Sequence, residues 1–136
     1  MGSTATGESQ HRLGFEPGQV VQEFGYGEDV DESVRRAIAA AVGSDLEDED
    51  FDDVVDVVVL WWRDGDGDLT DALLDVLTAL DGGGTVWLFT PKTGRPGTVQ
   101  HTEIEEAATT AGLHATSTVA IGHEWSGTRL GSRRNR

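Results

Sequence analysis

Cysteine is absent from the 136 residues, which excludes disulfides, thiolate metal sites and thiol nucleophiles. Lysine occurs once, at Lys92, and ten bases in all face 25 acids, a formal charge of -15. A surface so short of positive charge is unsuited to neutralising phosphates, so direct binding of nucleic acid is not expected. No apolar run approaches the ~20 residues of a membrane span. The first residues lack the charged-then-apolar pattern of a secretory signal. The expected setting is the cytoplasm, away from membranes. The length fits one domain with a true core rather than two.

Acid is what the chain has in quantity, and it is unevenly spread. Between Glu28 and Asp81 stand 18 acids and three bases, so this stretch carries the whole excess. Its densest part runs from Asp45 through Asp48, Glu49 and Asp50 to Asp53. Such a block is either a solvated, self-repelling loop or a surface that steers a basic partner. The ends differ from the rest: 1–12 read as a disordered leader, 13–131 as the domain and 132–136 as a basic tail.

The period of the apolar residues sets the elements. Gln19 to Phe24 reads as a strand near an edge, since Gln22 and Glu23 interrupt it. After Gly25-Tyr26-Gly27, Asp29 or Asp31 can cap a helix to Val42, with Val34, Ile38, Ala41 and Val42 on one face and Gly43 as its stop. Val54 to Trp62 reads as a buried central strand whose regular part starts near Asp56. Trp61 and Trp62 point to opposite faces, either both as core or with one reaching the rim. Asp68 caps a helix with Leu69, Leu73, Val76, Leu77 and Leu80 on its apolar face, ended by Asp81-Gly82-Gly83-Gly84. Thr85 to Thr90 is a second central strand. Thr102 and Glu105 form a capping-box pattern opening a helix that stops at Gly112. Thr116 to Ile121, a turn over His123 to Gly127, and Thr128 to Leu130 complete the chain as an antiparallel hairpin. The sum is a three-layer α/β domain: a mostly parallel, Rossmann-like sheet of about five strands with that hairpin at its end.

Several of these stretches resemble class I S-adenosylmethionine-dependent methyltransferases. Leu13-Gly14-x-x-Pro17-Gly18-x-Val20 leads to Glu23-x-Gly25-x-Gly27, and Leu80-Asp81-Gly82-Gly83-Gly84-Thr85-Val86-Trp87-Leu88 is similar to the run into that fold's fifth strand. Phe24-Gly25-Tyr26, Leu60-Trp61-Trp62-Arg63, Thr90-Pro91-Lys92-x-Gly94-Arg95-Pro96-Gly97 and Trp125-x-Gly127-Thr128-Arg129-Leu130 resemble more closely a group of short actinobacterial proteins known as a domain of unknown function. The resemblance implies a methyltransferase-like fold and makes Glu23, Gly25 and Gly27 the cofactor-binding positions. The chain departs from the pattern at the third glycine, which is Asp29. The second and third strands with their helices are missing, and Trp61-Trp62-Arg63-Asp64 stands where a catalytic motif would follow the fourth strand. Removing two strands turns the first strand into an edge, open to a homodimer or blocked by the acidic loop.

Other constellations fall short of a chemistry. Asp64-x-Asp66-x-Asp68 imitates a calcium loop but has Leu69 where glycine is needed. The four histidines show no metal spacing, and no serine has a nucleophile-elbow context. No catalytic residue, metal or cofactor is expected. The ligand crevice of an open α/β sheet lies at the carboxyl ends of its strands. Here that rim holds Tyr26, Trp62, Arg63, Lys92 and Arg95, with Asp48, Glu49 and Asp50 beside it. The expectation is an adaptor or regulatory module that binds a basic protein partner. The alternatives are a small-molecule binder or residual methyltransferase on the same rim, and a mimic of nucleic-acid charge that sequesters a basic protein.

Overall fold

Valine-rich β2 (Val55–Trp61) is the centre from which the rest is placed, because every residue of it except Asp56 is buried. A computed structural model describes residues 13–132; the leader 1–12 and residues 133–136 of the tail lie outside them. On one side β2 pairs in parallel with β1 (Val21–Phe24), on the other with β3 (Leu80–Pro91). β3 pairs antiparallel with β5 (Trp125–Ser132), and β5 with β4 (Leu113–Ile121). The five strands therefore run in the order β1-β2-β3-β5-β4. The hairpin folds back so that its second strand lies inside.

Among the described residues, three helices cover the two faces. Helix α1 (Glu32–Val42) buries Val34, Ile38 and Val42 on the face that holds Val57, Val59, Trp61, Trp87 and Phe89. Asp31 caps it, its Oδ1 accepting the N–H of Ser33 at 3.0 Å, and Gly43 ends it with φ 90°. Helices α2 (Leu69–Leu77) and α3 (His101–Thr110) bury Leu69, Leu73, Val76, Ile104 and Ala108 on the other face, against Val58, Leu60 and Trp62. Trp61 packs edge-on to Phe89 and Trp125, with ring centres 4.9 and 4.8 Å apart. So the two tryptophans do face opposite ways, and both are buried.

Four boundaries differ from expectation. Helix α2 stops at Leu77, and Leu80 to Gly84 belong to β3, which pairs at Leu80 and resumes at Thr85; the glycines let the chain bulge between the two points. The Thr102/Glu105 capping box does not form. Helix α3 starts at His101 with Gln100 as its cap residue, where Val99 and Ile104 sink into one core and set the angle at which the chain meets the helix. β4 begins at Leu113, and a bulge at Thr116 sends Leu113 and Ala115 to the α3 face but Val119 and Ile121 to the α1 face. β5 begins at Trp125 rather than Thr128, because Trp125 and Gly127 are buried ladder residues.

The route from α1 to β2 positions the candidate site. After Gly43 the chain passes along the outer edge of β1, where Glu47 bridges Gln22 in parallel. The N–H of Glu23 donates to the Glu47 oxygen and the N–H of Glu47 to the Val21 oxygen, both at 2.8 Å. Phe51 then packs on the α2 face. The Gln22 amide, itself buried, donates to the carbonyls of Asp48 and Phe51 at 2.9 and 3.2 Å. Asp56, which breaks the apolar run of β2, ties down the start of β1 by accepting the Val20 N–H at 2.8 Å. The acidic block is thus not a self-repelling loop held only by its ends. Main-chain bonds fasten it to the edge strand.

Candidate functional site

At the carboxyl end of β1 the chain must turn across the end of β2, and only glycine permits it. Gly25 has φ 78°, and a Cβ there would fall on the carbonyl oxygen of Trp61. Arg63, just past β2, then fills the space above the turn. Its guanidinium donates to the carbonyls of Gly25 and Trp61 at 2.8 and 3.2 Å, and its Nε to Asp29 at 3.0 Å. It also lies 5.4 Å from the ring centre of Trp125, whose indole N–H donates to the Asp29 carbonyl at 3.2 Å. A Cβ at Gly27 would come within 3.2 Å of the same guanidinium. Asp29, in the place of the third glycine, is therefore the counter-ion of Arg63. The hydrogen bond from Arg63 holds the Asp29 carboxyl below its ordinary value, and Arg63 is raised in turn.

The acid that precedes the glycines is also engaged. Glu23 is 5% exposed. Arg35 of α1 grips it with two bonds of 2.7 and 2.8 Å, and the Trp61 indole N–H donates to it at 2.8 Å. Arg35 continues to Glu32 at 2.8 Å, and the Tyr26 hydroxyl donates to the same carboxylate. The Arg35 guanidinium lies 4.6 Å from the centre of the Tyr26 ring, which is otherwise exposed. The bond to Glu32 raises the Tyr26 hydroxyl, and the bonds from Tyr26 and Arg35 lower the Glu32 carboxyl. Sequence reasoning did not connect Arg35 with Glu23, 12 residues apart. The available signal was a half-buried base in a helix whose neighbours Val34 and Ile38 are core.

Glu49 reaches over from the acidic segment, and its carboxylate accepts the Gly25 N–H at 2.8 Å. Glu23, Gly25, Tyr26, Gly27, Arg63 and Glu49 are thus one assembly. Lys92 and Arg95 form another, against the β4–β5 turn: Lys92 Nζ donates to the Gly122 carbonyl at 3.4 Å, and Arg95 pairs with Glu124 at 3.1 Å. Asp48 and Asp50 stand exposed on the outer edge. Of the calcium-like aspartates, Asp66 accepts the Arg63 N–H at 3.0 Å and Asp68 caps α2.

Trp62 lies on the other face, below a cleft of about 300 Å³. Phe24, Gly25, Ala72 and Val76 line it, and Glu49, Asp66 and Asp75 place carboxylates around it. The cleft exists because the α2 face of β1 has no helix over it. Among the described residues no helix lies between Val42 and Val55, and Phe24 is left half-buried. No helix among the described residues is long and apolar enough to cross a membrane.

Comparison with known proteins agrees with this geometry. Residues 10–134 match the family described as "Protein of unknown function (DUF3052)". The uncharacterized protein Rv2239c of Mycobacterium tuberculosis is 54% identical over 119 residues, 88% of this chain and 75% of that protein. Uncharacterized protein Mb2263c of Mycobacterium bovis matches to the same extent. Among solved structures, a putative methyltransferase from Thermoplasma acidophilum superposes with TM-score 0.63 at 13% identity, over 89% of this chain and 71% of that one. A SAM dependent methyltransferase from Aquifex aeolicus gives 0.59 at 13% identity, over 90% and 87%. At such identities the likeness is one of fold: an α/β, Rossmann-like sheet with antiparallel strands at its C-terminal end.

Proposed function

Since the chain belongs to the DUF3052 family of proteins of unknown function, its role has to come from its own surface, and we propose that it is a non-catalytic adaptor or regulatory module for a basic protein partner. One observation carries this reading: the acidic segment is fixed in place. Glu47 is paired to β1 and the Gln22 amide holds the carbonyls behind it. Asp45, Asp48, Glu49, Asp50, Asp52 and Asp53 are all exposed there. Carboxylates on an anchored backbone cannot relax far from one another, and a cationic surface relieves their repulsion while being steered towards them. The glycine turn supports the same reading, since Glu49 and Arg63 already use the Gly25 N–H and carbonyl. The proposed setting is the cytoplasm. A homodimer through the β1 edge would first have to displace Glu47.

The test is charge reversal of Asp48, Asp50, Asp52 and Asp53 together, scored by co-purification with a defined partner. Loss of the partner is expected, as is weakening at raised salt. Retention of an unchanged complex would refute the reading. The second reading is a small-molecule or residual S-adenosylmethionine site, favoured by the cleft beside Gly25 and Trp62. Thermal melting with excess S-adenosylmethionine decides it, because ligand at about 100 times its dissociation constant adds roughly 2.7 kcal/mol to stability. A shift of several degrees would restore the enzyme hypothesis.

A further inference from the structure

The cleft over Trp62 has a composition that selects one kind of occupant. Among the described residues its lining contains no base. Three of its side chains are acids, and they come from three separate elements: Glu49 from the acidic segment, Asp66 from the loop after β2, and Asp75 from α2. Their states differ. Glu49 accepts one backbone N–H. Asp66 is shared with Arg63, 3.5 Å away. The Asp75 carboxylate has no partner among the described residues; only the Asp75 backbone oxygen is used, by the Thr78 hydroxyl at 2.7 Å. Asp75 also lies in the last turn of α2, which has no basic residue to offset the negative end of the helix. Carboxylate charge therefore converges on a cleft whose floor and wall are apolar: Phe24, Ala72, Val76 and the indole of Trp62.

We propose that this cleft receives the side chain of an arginine from the partner, its methylenes along Phe24 and Val76 and its guanidinium among Glu49, Asp66 and Asp75. The proposal rests on the reading of the protein as a module for a basic partner, and names the contact that makes the docking specific. A volume of about 300 Å³ admits one long side chain rather than a helix. Arginine fits better than lysine, because a planar guanidinium stacks on aromatic rings and forks between carboxylates. The same chemistry is already present elsewhere on this rim, where Arg63 lies against Trp125 and pairs with Asp29.

Intrinsic fluorescence gives a local readout. Of the four tryptophans Trp62 is the most exposed, at 9%, against 0% for Trp61, 2% for Trp87 and 3% for Trp125. The full chain is titrated with a capped tetra-arginine peptide and with its tetra-citrulline analogue, which keeps the shape and loses the charge. Arginine is expected to give a saturable change that Trp62→Phe abolishes, and citrulline none. Asp75→Asn should weaken binding by up to about fivefold, the size of one partly exposed charge pair. Glu16→Gln and Glu106→Gln, exposed acids outside both the cleft lining and the acidic segment, should leave it nearly unchanged. If tetra-arginine binds but all these acids matter equally, or Trp62→Phe keeps the signal, the cleft assignment is overturned and the acidic-surface reading survives. If tetra-arginine fails to bind at physiological ionic strength, both fall.

Discussion

Glu49 places a carboxylate oxygen 2.8 Å from the backbone nitrogen of Gly25, across helix α1 and 24 residues along the chain. The bond joins the most acidic stretch of the sequence to its most constrained turn. The donor that a glycine turn would offer to a ligand is satisfied from within. Anything that moves the acidic segment therefore reaches the rim directly.

Gly25 is expected to be intolerant of any side chain. Gly25→Ala meets both a positive φ and the Trp61 carbonyl, whereas Gly43→Ala meets a positive φ of 90° in open space. Gly43→Ala should cost about 1 kcal/mol. Gly25→Ala should exceed that by 2 kcal/mol or more in urea unfolding, from the backbone collision alone. Equal costs at the two sites would show that the turn moves freely away from β2.

The Glu23–Arg35 pair sets up a double-mutant cycle. Arg35→Met strands a buried carboxylate with only the Trp61 N–H, and should cost about 2–3 kcal/mol, somewhat under the range for a fully buried pair because Arg35 is 29% exposed. Glu23→Leu combined with Arg35→Met should be less destabilised than the sum of the single changes. Strict additivity would mean that the two residues do not interact energetically.

The Asp29–Arg63 pair should show itself at low pH. The Asp29 carboxyl is depressed in the folded state, chiefly by the hydrogen bond from Arg63. Its contribution is therefore fully present above the ordinary carboxylate value of about 3.9 and is lost as pH falls through the lowered folded value. Asp29 is 56% exposed, so the effect should stay under about 1 kcal/mol. Comparing urea unfolding of wild type and Asp29→Asn, the gap should be constant from pH 8 to 5 and close below pH 4. A gap that is unchanged at pH 2 would contradict this.

Glu47→Pro removes the N–H that donates to Val21. About 1 kcal/mol of stability should go with it. Cleavage by a glutamate-specific protease should rise after Glu49 while the sheet core stays resistant. Unaltered cleavage would show that this bond does not hold the segment.

The legible parts of the fold were those whose burial is written in side chains. The run around Val57 to Trp61 could only be a covered strand, and Asp31, Gly43 and Asp68 mark helix ends by their own chemistry. The boundaries that moved were set by other residues. Val99 and Ile104 fixed where α3 begins, and the β3 ladder drew Trp125 and Gly127 into a strand. The rim was legible as a list of residues but not as a set of partners. Asp29 looked like an added charge in a glycine loop, and only the fold brings Arg63, 34 residues on, against it. The anchoring of the acidic segment was not legible, because it depends on backbone amides, which every residue has, and on the side-chain amide of Gln22 in β1.

The course of that segment has a topological consequence. Helix α1 lies on one face of the sheet and helices α2 and α3 on the other. A connection straight from α1 into β2 would form a left-handed crossover, which parallel strands almost never adopt. By first stepping outward to Glu47 and then returning over Phe51, the chain makes two right-handed steps instead. Residues 44–54 are thus the detour that makes the winding possible. Shortening them to join Gly43 directly to Val55 would ask the domain to fold with the wrong hand.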